Sequence, residues 1–60
     1  MKAERVRITH ELHGSDHVVI LEGELWRMMF RGASLSIALT QAAAYMELRE
    51  IDATRRELER

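Results

Sequence analysis

The apolar residues of this chain keep two different spacings. Over residues 5–12 they alternate: Val6, Ile8, His10 and Leu12 fall on one side, and Arg5, Arg7, Thr9 and Glu11 on the other. Period two with β-branched residues predicts a strand with one buried face. His13-Gly14-Ser15-Asp16 follows with turn chemistry, since Gly accepts positive φ and Ser and Asp hydrogen-bond locally. His17-Val18-Val19-Ile20-Leu21-Glu22 then reads as a second strand, because three consecutive β-branched residues favour extended backbone. A hairpin closed over the four turn residues sets Leu12 against His17, Ile8 against Leu21, Arg7 against Glu22 and Arg5 against Glu24. The last two rungs bring opposite charges together. The same register gathers Val6, Ile8, Leu12, Val19 and Leu21 on one face, which must pack on something, because a lone hairpin is marginal in water.

Gly23 is expected to end the second strand. Residues 24–31, with Leu25, Trp26, Met28, Met29 and Phe30, are expected to form a short helix stopped by Gly32 at its C′ position, with Ser34 capping the next one. Residues 33–60 hold no Gly or Pro and predict one long helix. Ile37, Ala44, Leu48, Ile51 and Leu58 recur on it at steps of three and four, with Gln41 and Arg55 in the missing slots. That is the a/d spacing of a helix seam. A second row, Leu35, Leu39, Ala42 or Ala43, and Met46, makes the first half apolar over a wide arc. Ala42, Ala43 and Ala44 leave room for another backbone to come close.

The fold class is therefore α+β in a single domain over residues 1–60: a β-hairpin over 1–23, a short helix over 24–31 and a long amphipathic helix over 33–60, paired as an intertwined homodimer. Size argues for the pairing. A 60-residue chain buries only about 60% of its unfolded surface, and there is no Cys to staple it. Yet 47% of its residues are hydrophobic. Small scaffolds without staples usually gain stability by oligomerising. The dimer interface is expected along Ile37, Ala44, Leu48, Ile51 and Leu58, and a patch for a different protein at Trp26, Met29 and Phe30.

Net charge is -1, with five basic and five acidic residues before position 33 and four and five after it. Such balance offers no broad electrostatic hold on nucleic acid. The first residues carry charge rather than an apolar core, so no signal peptide is read, and no apolar run is long enough to span a bilayer. A cytoplasmic protein with no membrane partner is the expectation.

A second parse takes residues 5–9 as a lone strand and residues 15 or 16 to 31 as a helix. Gly32-x-Ser34-x-Ser36-x-Ala38-Leu39-x-x-Ala42-x-x-Tyr45 then resembles the glycine turn and second helix of the ribbon-helix-helix family of dimeric DNA-binding proteins. The resemblance covers roughly residues 5–46. It implies a ribbon-helix-helix dimer acting as a transcriptional repressor or antitoxin. In it Arg5, Arg7 and Thr9 face the major groove, and the helix start at Ser34 holds a phosphate.

Candidate chemistry changes little. His10, His13 and His17 recur at steps of three and four, so on a helix His13 and His17 could share a metal with Glu11 or Asp16, but Gly14 lies among them and the segment reads as turn. Gly32-x-Ser34-x-Ser36 lacks the second glycine of a nucleophile elbow. Glu22 and Glu24 are better used against Arg7 and Arg5 than as a catalytic pair. No catalytic residue, metal or cofactor is expected, and a chain this short has little room for an enclosed pocket. The expected function is a small non-enzymatic dimeric regulator or adaptor acting by protein–protein binding. The DNA-binding repressor or antitoxin is the alternative, and a structural coiled-coil oligomerisation module the third reading.

Overall fold

The computed structural model describes residues 5–59; residues 1–4 and 60, which the expected domain, hairpin and long helix include, lie outside the described residues. The chain runs β1 (Arg7–His13), β2 (Asp16–Glu22), β3 (Arg27–Gly32) and α1 (Leu35–Leu58). The strands form one antiparallel sheet in the order β1-β2-β3, and α1 lies across β2 and β3. The α+β class and the hairpin-then-long-helix order are as the sequence predicts. A third strand stands where the short helix was expected.

The β1–β2 register is the predicted one: Leu12 opposite His17, Ile8 opposite Leu21 and Arg7 opposite Glu22. His13 also pairs with Asp16, so the loop is only Gly14-Ser15. Gly14 sits at φ 67°, the left-handed region. A glycine at the first position of a two-residue loop matches a type II′ turn, whose twist suits the flanking strands. Gly14→Ala is expected to cost about 1–2 kcal/mol, the left-handed penalty of a side chain, although nothing lies near enough to clash. Urea unfolding of the two forms reads it directly. The rung between Arg5 and Glu24 does not form: β2 ends at Glu22, and residues 23–26 turn, with the Gly23 N–H donating to the Trp26 carbonyl at 2.9 Å.

β2 is the centre of the sheet for a reason visible in its residues. Val18, Val19, Ile20 and Leu21 alternate between two faces and are all buried, at 4% exposure or less. A strand apolar on both faces needs cover on both and a neighbour on each side. Residues 27–32 supply the second neighbour, with Leu21 opposite Met28, Ile20 opposite Met29 and Val19 opposite Phe30. The expected helix over residues 24–31 is thus replaced by a turn and a strand. Gly32 accordingly does not terminate a helix. It ends β3 close against the start of α1: a Cβ there would lie 2.7 Å from Ile37 Cγ2 and 3.1 Å from the Ala38 nitrogen.

α1 starts where Ser34 was expected to cap it. The Ser34 hydroxyl accepts from the Ile37 N–H at 3.2 Å, satisfying one of the unpaired amides of the first turn. Val19 and Leu21 from the sheet meet Ala38 and Ala42 from α1 in the core, with Val6, Trp26, Phe30, Tyr45 and Met46 packed around them. Two small residues on the contact face let the helix lie close to β2. With 24 residues α1 is about 36 Å long, whereas a seven-residue strand spans about 23 Å. Its last turns therefore run past the sheet, and residues 50–58 are all exposed.

Candidate binding surfaces

Three features of this fold carry candidate function: the outer row of α1, the free edge of β1, and the ring cluster that holds α1 at its middle.

The outer row is the predicted seam. Ile37, Leu48, Ile51 and Leu58 are 47%, 63%, 48% and 81% exposed, and Ala44 is exposed between them. The sheet is met by Ala38, Ala42 and Tyr45, so at 100° per residue the row lies on the flank turned away from β2. The Ile37 side chain also rests on Gly32. Along the free end, Glu47, Glu50, Ile51, Thr54, Arg55 and Leu58 line a shallow open depression.

The ring cluster fixes where that free end leaves the sheet. Trp26 and Phe30 each lean on Tyr45, with ring centroids 5.7 and 5.6 Å apart. The Arg49 guanidinium sits 4.0 Å above the Trp26 ring and donates to the Tyr45 hydroxyl at 3.4 Å. Trp26, Met29 and Phe30, read from sequence as one docking patch, are therefore not one surface. Trp26 and Phe30 pack toward α1, while the strand alternation puts Met29, 51% exposed, on the opposite face. Arg49→Ala removes both contacts and is expected to lower stability by about 1 kcal/mol, the scale of a desolvated cation–π pair. A thermal melt of the variant checks it.

β1 is the exposed edge. α1 packs on β2 and β3 and, among the described residues, does not reach β1. Ile8 and Leu12 lie on the helix side of the sheet yet stay 64% and 62% exposed. On the same side the His10 Nε2 and His17 Nδ1 are 3.0 Å apart, one donating to the other. His13 turns to the other face and contacts Glu11 at 2.8 Å. The three histidines are thus divided between the two faces. Among the described residues no group of three or more His, Asp or Glu could hold a metal ion.

The open face, opposite α1, carries Arg7, Thr9, Glu11, Arg27, Met29 and Arg31 around the buried Val18 and Ile20. Its charges pair: Arg31 Nε lies 3.4 Å from Asp16 and Arg27 Nε 3.9 Å from Glu22, which turns toward β3 rather than to Arg7. No protein-family model, curated protein or solved structure matches the chain.

The ribbon-helix-helix parse placed a helix over residues 15 or 16 to 31, and that stretch is β2, a turn and β3. Arg7 and Thr9 do share one face, as that parse required, while Arg5 precedes the strand and Ser34 is occupied by its capping bond. No helix among the described residues is long and apolar enough to cross a membrane. Sequence reasoning missed the β1 edge. Its signal was the four-residue apolar run of β2, which calls for strands on both sides and so leaves β1 outermost.

Proposed function

We propose that the chain is a small non-enzymatic regulator or adaptor, built from two copies, that acts by binding another protein along the outer row of α1. The carrying observation is that Ala44, Leu48, Ile51 and Leu58 form one exposed apolar row on a helix that rests on Trp26 through Arg49 and extends beyond the sheet. Apolar residues at alternating three and four spacing suit knobs-into-holes packing by a second amphipathic helix. Glu47 and Glu50 border the row and Arg55 stands within it, so both signs of charge are present, which sets orientation more than affinity.

The test is Leu48→Glu with Ile51→Glu. Both positions are exposed on the flank turned away from the sheet, so the fold is expected to persist. Proteins recovered on the parent chain from the cells that make it are expected to be lost on the variant. With a purified partner in hand, amide exchange over residues 44–58 should slow on binding. Equal recovery on both forms would remove the row from the reading.

A further inference from the structure

We propose that β1 is the surface through which two copies of this chain join, pairing antiparallel about Thr9 into one six-stranded sheet. This rests on the reading above that the chain works as a pair; it moves the self-contact from α1 to the sheet.

β1 is a seven-residue strand paired in unbroken register on one side only. Its other side presents a row of backbone N–H and C=O groups. Proteins blunt such edges with prolines, bulges, a covering loop or charged side chains, because a bare edge templates pairing with another strand. Among the described residues β1 has no proline, bulge or covering loop, and its two charges, Arg7 and Glu11, are opposite in sign. Its side chains are exposed throughout, and Ile8 and Leu12 are bare apolar groups on the face that α1 leaves uncovered.

The residues of β1 say which strand fits. Antiparallel pairing of β1 with itself about Thr9 sets Arg7 of each copy opposite Glu11 of the other, twice, and Thr9 opposite Thr9. Opposite charges and threonine pairs are favourable cross-strand neighbours. On the helix side Ile8 then lies opposite His10, and Leu12 opposite Val6, which precedes the strand, so each exposed apolar group gains a cross-strand neighbour. Centring the pair on His10 instead puts Arg7 opposite His13 and loses the charge pairs, while centring it on Ile8 leaves Glu11 only Arg5, which lies outside β1.

The other edge offers no such match. Pairing β3 with itself about Met29 sets Arg27 against Arg31, a like-charge clash made twice. The Arg31 carbonyl there already accepts a hydrogen bond from Gln41 of α1 at 3.3 Å. β3 holds no acidic residue, so of the two edges only β1 makes opposite-charge rungs with a second copy of itself.

Two charge-reversal variants test the pairing. Glu11→Arg alone sets Arg against Arg, and Arg7→Glu alone sets Glu against Glu. Each is expected to weaken the homodimer about thirtyfold or more, as two cross-strand pairs turn from attraction to repulsion. Mixed in equal amounts, the two variants are expected to form a heterodimer as tight as the parent, because both rungs are again opposite in sign. Sedimentation equilibrium at matched concentrations measures all four samples, with circular dichroism confirming the fold of each. Independently, Thr9→Cys is expected to give a disulfide-linked dimer on mild oxidation. If both charge variants remain dimers as tight as the parent while Leu48→Glu with Ile51→Glu becomes monomeric, copies join along α1 and the β1 assignment is overturned. If the parent itself is a stable monomer at high concentration, the paired reading falls with it.

Discussion

Leu21→Ala is expected to lower the melting temperature by 10 °C or more and to leave a large unfolded fraction at body temperature. Leu21 is 1% exposed and faces Ala38 and Ala42 across the sheet–helix contact. Truncating a buried leucine costs about 2–5 kcal/mol, from lost transfer energy and from the cavity left behind. A 60-residue domain holds only about 3–9 kcal/mol in total, and each kcal/mol moves the midpoint by about 4–8 °C at this size. No second layer of structure can collapse into the gap, since among the described residues α1 is the only element over this face. Thermal melts at one fixed protomer concentration measure the effect, because association adds to apparent stability by mass action. A midpoint within 3 °C of the parent would mean that α1 is not seated on Leu21 at all.

The contrast with Ile8 sharpens the point. Ile8 is directly opposite Leu21 in the register, on the same face, and has more carbon than most core residues of this chain. It is 64% exposed because the helix ends its reach at β2. Ile8→Ala is expected to change the stability of a single copy by less than about 0.5 kcal/mol, as surface substitutions do. It is also expected to weaken association of copies through β1. A dilution series followed by sedimentation separates the two effects.

What the residues revealed in advance follows from how each signal is built. The β1–β2 register was legible because pattern, turn and charge agree on a single offset, and Gly14 allows few other turns there. The start of α1 was legible because Ser34 precedes an uninterrupted run of helix formers. The third strand was not, for two reasons. Arg27-Met28-Met29-Phe30-Arg31 alternates correctly, with Met28 and Phe30 toward α1, but Met29 on the polar face hides the period. Met and Arg are also as comfortable in a helix as in a strand, so propensity could not arbitrate. The central run of β2 held the missing constraint. The outer row of α1 was legible as a periodicity, yet periodicity cannot tell which of two apolar flanks a sheet will take. Ala38 and Ala42 decided that, by letting the helix approach β2 more closely than bulkier positions allow. The docking patch failed for the same reason as the short helix: helical spacing would have put Trp26, Met29 and Phe30 on one side, and strand spacing divides them.

Three consecutive alanines give the sharpest test of which flank faces the sheet. Ala42 is 4% exposed against Val19 and Leu21, while Ala43 and Ala44 are open to solvent. Ala42→Leu forces three extra carbons into the contact, and overpacking of this kind costs about 1–3 kcal/mol. The cost here belongs at the upper end. The helix start is pinned at Gly32, where a Cβ would already lie 2.7 Å from Ile37, and its middle is pinned at Trp26 through Arg49. α1 therefore cannot slide to accommodate a leucine; it must lift, and lifting uncovers Val19 and Leu21 together. Ala43→Leu, one residue on, keeps helix propensity nearly unchanged and is expected to stay within about 0.5 kcal/mol of the parent. Ala44→Leu enlarges the outer row, leaves the fold intact and is expected to alter binding along α1 rather than stability. Denaturant unfolding of the three variants thus yields one large loss and two near-neutral results. If Ala43→Leu rather than Ala42→Leu proves the damaging one, the helix is rotated by about 100°, and the row at Leu48 and Ile51 turns with it.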